Sequence, residues 1–236
     1  MHPFAIFISQ STINTLLWTI SVALELALFA ALFSRGIARR HPVFTALIGF
    51  YLARSVLLYI IFNHIPLDAY HALYDNLQLV DLALQAAVAI EIAIQLMRHS
   101  TGAKTTGTGK RLTLRSGLMP AALLALAILC TILAATLLPA HAPIPADRAQ
   151  LFFSFLMILL FVWAQTIPAT LTRNIAAGFA LYGIVNLSAS FGRTYAALHQ
   201  NASAYALWSY ATAGIYIVAV LYWLLTLKST EAPPNG

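Results

Sequence analysis

The sequence predicts an all-α membrane protein, a seven-transmembrane-helix bundle that forms a single transmembrane domain over residues 1–236. Two observations predict this class. The first is composition, since 61% of the residues are hydrophobic and only 8% are charged, whereas about a quarter of the residues are charged in soluble domains. The second is arrangement, because the apolar residues form long runs, and a helix needs about 20 of them to cross the hydrocarbon core.

Seven runs meet this length. The first carries Glu25 and follows no basic segment, so we interpret it as a retained helix and not as a cleaved signal peptide. The junction between the fifth and sixth runs consists only of Arg173 and Asn174, and Pro168 lies just before it, so six hydrophobic segments is the main alternative. In chain order the predicted helices are 13–33, 42–62, 71–97, 118–138, 151–172, 175–198 and 202–227.

The distribution of lysine and arginine predicts the orientation, because these residues stay on the cytoplasmic side during insertion. The connections on one side hold ten of them, and those on the other side hold only Arg148. We therefore expect a multi-pass protein of a cell inner membrane, with its amino terminus outside and its carboxyl terminus in the cytoplasm. The ten residues are Arg35, Arg39, Arg40, Arg98, Lys104, Lys110, Arg111, Arg115, Arg173 and Lys228.

The formal net charge of +6 favours anionic partners. Nearly all the cations lie in short loops between apolar runs, so they form no continuous surface for nucleic acid, and no nucleic-acid partner is expected. The expected partners are the lipid bilayer, with anionic lipid headgroups at the inner basic loops, and a small-molecule ligand.

Ionisable side chains inside the apolar runs are the candidate functional residues, because charge within a membrane is costly and usually faces a cavity. Arg54 and Asp81 lie at matched depth on adjacent helices, which predicts an ion pair at the floor of an outer-facing cavity. Tyr74, Gln78 and Gln85 share one helical face with Asp81. The alternative for this face is a hydrogen-bonded helix interface without a ligand. The hypothesised substrate-binding residues are Arg54, Tyr74, Gln78, Asp81, Gln85 and Arg193.

Three further acidic residues lie in the apolar runs. Asp75 and Arg193 are both close to the outer surface and form a second possible pair. Glu25 lies nearer the middle of its helix. Glu91 lies towards the inner side, and we expect it to reach the arginine-rich surface by snorkelling and not to relay protons.

Five histidines fall at the outer ends of helices or in outer loops, where a zinc site is conceivable because imidazole is a proper zinc ligand. No two of them have tight ligand spacing on one helix, so we predict no metal site and no cofactor. The five are His2, His64, His71, His141 and His199.

Three short matches indicate an internal repeat, with chance similarity in an alanine- and leucine-rich chain as the alternative. Their offset, near 136 residues, places helices one to three over helices five to seven, a three-plus-one-plus-three arrangement similar to that of small carriers. The matched pairs are 31–38 with 169–176, 46–49 with 180–183, and 72–74 with 206–208.

The chain also resembles an uncharacterised family of bacterial seven-helix integral membrane proteins. The resemblance is carried by the arginine-rich first inner loop running into Pro42-Val43-Phe44, by Tyr74, and by Glu91-Ile92. It implies a seven-helix fold over most of the chain, and it implies no activity.

These observations favour a small-molecule carrier with an outer-facing polar cavity, and we do not expect an enzyme. The alternative is a seven-helix ligand sensor that signals through a separate partner, and a membrane-embedded metal hydrolase ranks third. Solute uptake, a signalling partner and bound zinc, respectively, would distinguish them.

Overall fold

The structure, a computed structural model, describes residues 12–61, 64–102, 113–137 and 145–227. Within these ranges every regular element is an α-helix, so the predicted all-α class is confirmed. The helices are α1 (Thr12–Ser34), α2 (Ile37–Arg40), α3 (Pro42–Ile61), α4 (Leu67–Gly102), α5 (Thr113–Leu137), α6 (Pro145–Ala164), α7 (Thr170–Leu198) and α8 (Ala202–Thr226).

The helices begin and end at residues that favour a boundary. After α1 the chain turns at Gly36, whose φ of 68° lies in the left-handed region that suits glycine. Pro42 occupies the first position of α3, where the missing N–H would have had no helical partner. The side chain of Asn201 caps α8 by accepting a hydrogen bond from the Ala204 N–H at 2.9 Å.

The predicted junction between the fifth and sixth helices is in the wrong place, and α4 extends beyond both ends of the predicted helix 71–97. The sequence placed two helices at 151–172 and 175–198, whereas α6 ends at Ala164 and α7 already begins at Thr170. The cause is Pro168, since proline disfavours helical conformation in the residue before it and cannot donate a backbone hydrogen bond. The short helix α2 was also not predicted.

Within the described residues, five helical segments are long and apolar enough to cross a membrane, which makes the chain a multi-pass membrane protein. Two shorter apolar segments, Met119–Leu133 and Ala149–Ala164, lie within the described parts of α5 and α6. The number of spans, seven, and the orientation of the chain in the membrane therefore remain predictions. The five segments are Thr15–Ser34, Pro42–Ile61, Asp68–Ser100, Thr170–Leu198 and Ala202–Thr226.

Six of the long helices form a closed ring. In order around the ring, α1 packs on α3, α3 on α4, α4 on α6, α6 on α7, α7 on α8, and α8 on α1. Helix α5 lies outside this ring against α6 and, less extensively, α4. Its position agrees with its surface, since Ala127 is buried while Leu129 and Leu133 are exposed.

Glycines permit the close packing of α7 on α8. The Trp223 ring of α8 lies directly over Gly178, and the Trp208 ring lies over Gly192, so a Cβ at either glycine would collide with the indole. The Trp223 Nε1–H also donates to the Ile175 carbonyl oxygen at 3.2 Å. Small residues at helix interfaces allow such close approach in membrane proteins.

Candidate functional site

The predicted ion pair between α3 and α4 is present. Arg54 Nη1 lies 3.2 Å from Asp81 Oδ2, and the two side chains are only 14% and 10% exposed. The guanidinium of Arg54 also lies over the ring of Tyr74, with its carbon 4.9 Å from the ring centroid, a cation–π geometry. The sequence therefore located this pair and one of its neighbours correctly.

A hydrogen-bonded amide extends the pair. Gln85 Nε2 donates to Asp81 Oδ1 at 2.9 Å, so both oxygens of this carboxylate have partners. The same amide nitrogen is 3.4 Å from the hydroxyl oxygen of Tyr51 on α3. Satisfying both oxygens matters, because a buried charge is tolerated only when it is paired and hydrogen-bonded.

A second buried carboxylate lies across the ring of helices. Glu25 of α1 is 2% exposed, and its Oε1 accepts a hydrogen bond from the Tyr216 hydroxyl of α8 at 2.7 Å. The Tyr216 ring packs edge-on against Tyr51 and Tyr182, with centroids 5.9 and 6.2 Å apart. These tyrosines connect Glu25 to the cluster around Asp81, so polar groups from five helices meet inside the ring.

Arg193 occupies a different place from the one predicted. Its guanidinium lies 3.3 Å from the Thr212 hydroxyl on α8 and 3.5 Å from that of Ser190, while Asp75 is exposed to the surroundings. The hypothesised pair of Asp75 with Arg193 is therefore not formed in the described part of the chain. Gln78 is half-buried.

Glu91 does not snorkel, and that expectation is wrong. Its carboxylate is 9% exposed and accepts hydrogen bonds from the backbone N–H groups of Val43, at 3.1 Å, and Phe44, at 3.0 Å. These are first-turn donors of α3, which have no partner within their own helix. Glu91 thus caps a neighbouring helix, because a carboxylate is attracted to an N-terminal helix dipole.

A cavity of about 820 Å³ opens at the end of the bundle where the arginine-rich loop lies. It is lined by α2, by the end of α4 and by the turn before α7, and none of the six hypothesised substrate-binding residues contributes to it. Within the described residues, no group of three metal-ligating side chains is present. His2 and His141 lie outside those residues, so the prediction of no metal site stays a prediction.

The sequence reasoning missed three residues of the polar interior. They are Tyr51, Tyr182 and Tyr216, each of which lies within a long apolar run. Tyr51 precedes Arg54 by three positions and therefore shares its helical face. That spacing was the available signal for Tyr51. Tyr216 and Tyr182 carried no comparable signal, because their contacts depend on which helices are neighbours in the ring.

The fold and this interior define an all-helical, multi-pass membrane protein with a polar network enclosed by its helices. Comparison of the chain with protein-family models, with curated proteins and with solved structures finds no match.

Proposed function

We propose that this protein is a small-molecule carrier of the three-plus-one-plus-three type, with its solute site among the polar side chains inside the ring. The observation that carries the proposal is the helix arrangement. The helices α1, α3 and α4 correspond in order to α6, α7 and α8. When each helix is replaced by its counterpart, all six pairs of neighbours in the ring are again pairs of neighbours, and α5 remains outside the ring. Two related three-helix units around a central site are the design of parallel-repeat carriers.

Each unit also has an arginine in the second half of its second helix. Arg54 lies near the end of α3 and bonds to Asp81 on α4, and Arg193 lies near the end of α7 and bonds to Thr212 on α8. In each unit, an arginine of the second helix thus donates a hydrogen bond to a side chain of the third helix. One of the three sequence matches of the repeat does not agree with the helix bounds. Residues 31–38 cross the break after α1, whereas the matched residues 169–176 lie almost wholly in α7.

The chemistry of the interior fits a small polar solute. It offers a cation, two carboxylates, an amide and three phenolic hydroxyls in a low-dielectric environment. Ionisable groups inside a membrane are costly, and they commonly mark a pathway or a ligand site. In the predicted topology, with seven spans and the amino terminus outside, Arg54 and Tyr74 lie in the outer half of this carrier. Binding there requires the solute to exchange hydrogen bonds with Gln85 and the tyrosines.

Uptake into proteoliposomes tests the proposal. Purified protein is reconstituted and offered a panel of radiolabelled sugars, amino acids and small carboxylates. We expect at least one solute to accumulate with the unmodified protein and with Asp75→Ala, and to fail with Arg54→Ala/Asp81→Ala. A panel member that shifts the thermal unfolding midpoint but is never taken up would favour the sensor, and a panel with neither binding nor uptake would contradict the carrier.

A further inference from the structure

We infer that the cavity at the arginine-rich end is a binding site for a phosphate group, carried by a soluble organic phosphate or by a lipid headgroup. The site is separate from the polar interior. Its nearest residue on α4, Glu91, is ten positions from Asp81, which corresponds to about 15 Å along the helix. The inference does not depend on transport.

The charge of the lining is the first argument. Three arginines line the cavity, namely Arg39 and Arg40 from α2 and Arg98 from α4, against one acidic side chain, Glu91. Both oxygens of Glu91 already accept backbone N–H groups of α3, so its charge is directed at that helix terminus. The lining side chains therefore carry a net positive charge, and guanidinium groups bind phosphate with well-matched, bidentate geometry.

The wall of the cavity is held in place. Gln95 Nε2 of α4 donates to the backbone oxygen of Arg40 at 3.2 Å, which fixes α2 against α4. His41 is 3% exposed and also lines the cavity. Its Nδ1 has no hydrogen-bond partner among the described residues and lies 3.8 Å from Glu91 Oε2. The His41 imidazole thus faces Glu91 and forms part of a polar cavity wall.

A helix terminus completes the site. Residues Ala169 to Thr172, the N-cap and first turn of α7, also line the cavity. The N-cap residue Ala169 makes no side-chain cap hydrogen bond, unlike the N-cap Asn201 of α8. First-turn N–H groups without an N-cap side chain, together with the positive end of the helix dipole, favour an anion beside them.

The size of the cavity indicates what carries the phosphate. At about 820 Å³ it is far larger than an inorganic phosphate ion, and it falls within the roughly 300–1,000 Å³ range of sites that hold small organic molecules. A soluble organic phosphate and the headgroup of an anionic phospholipid both fit this description.

The experiment compares these two sources on the full-length protein in phosphatidylcholine nanodiscs, in a phosphate-free buffer. One arm titrates glycerol 3-phosphate and inorganic phosphate by calorimetry. The other compares the thermal unfolding midpoint in discs with and without phosphatidylglycerol. The test variant is Arg39→Gln/Arg98→Gln, and the control is Arg173→Gln, which removes one charge at the same end but outside the cavity lining.

We expect the unmodified protein to respond in one arm. In the double variant, the affinity for the soluble phosphate should fall at least about tenfold, or the midpoint shift caused by phosphatidylglycerol should disappear, because charge-assisted hydrogen bonds are lost. Arg173→Gln should keep the response, and Arg39→Lys/Arg98→Lys should keep part of it. Response to the soluble phosphates identifies a soluble ligand, and response only to phosphatidylglycerol identifies a headgroup. No response in either arm, or equal loss in Arg173→Gln, would overturn the inference.

Discussion

The Arg54–Asp81 pair allows a quantitative test of how the interior is stabilised. Replacing either residue with alanine leaves the other charge buried, and each side chain retains at most 14% exposure through which water could screen it. At the observed 3.2 Å, Coulomb's law with an effective dielectric constant of about 20 gives an attraction of about 5 kcal/mol. Losing one partner of a buried pair typically costs about 3–5 kcal/mol.

The neighbours of the pair adjust these values. Asp81 without Arg54 keeps the Gln85 hydrogen bond at 2.9 Å, and Arg54 without Asp81 keeps the Tyr74 ring, a contact that contributes about 0.5–2 kcal/mol. We therefore expect each single variant to lose about 3 kcal/mol of unfolding free energy. The double variant strands no charge, so its loss should fall below the sum of the two single losses by about 1–3 kcal/mol.

The assay is unfolding by SDS titration from dodecylmaltoside micelles, followed by tryptophan fluorescence. Asp75→Ala is the matched control, because it removes an exposed aspartate from the same helix, α4, and should change the unfolding free energy by no more than about 0.5 kcal/mol. Strictly additive losses in the Arg54 and Asp81 variants, or losses no larger than that of Asp75→Ala, would refute the reasoning.

Three further predictions follow from individual contacts and from the charge distribution. Glu91→Ala should lower the unfolding free energy by about 2–4 kcal/mol in the same titration, because the Val43 and Phe44 N–H groups lose their acceptor. Glu91→Gln keeps one acceptor oxygen and should lose less. An unchanged unfolding free energy in Glu91→Ala would contradict the capping role. Gly178→Ala should cost about 1–3 kcal/mol through collision with Trp223, while Gly214→Ala, with open space around its Cβ position, should be neutral or slightly stabilising; equal effects would disprove the close packing. In a Cys130→Ala background, a cysteine at Ala146 should react with an impermeant maleimide in intact cells and one at Thr106 should not, and labelling at Thr106 would reverse the orientation.

Much of the fold could be read from the sequence, because a bilayer imposes a simple rule on composition. Runs of apolar residues about 20 long predicted the helices, and the structure reproduces α3 and α8 to within one residue of the predicted ends. The depth rule for charged residues likewise paired Arg54 with Asp81, since both the vertical position and the short α3–α4 connection are encoded locally.

The wrong predictions of side-chain contacts share one cause, which is that lateral neighbours are not encoded in a single helix. Glu91 caps α3 and Arg193 bonds to α8 because the ring brings those helices alongside, and periodicity within α4 or α7 contains no information about their partners. The sequence by itself determined a helical membrane protein with one buried ion pair. Only the tertiary structure decided that α5 lies outside a six-helix ring and that tyrosines join Glu25 to Asp81. It also decided that α2, the end of α4 and the start of α7 line a cavity, because side-chain packing between distant segments selects these arrangements.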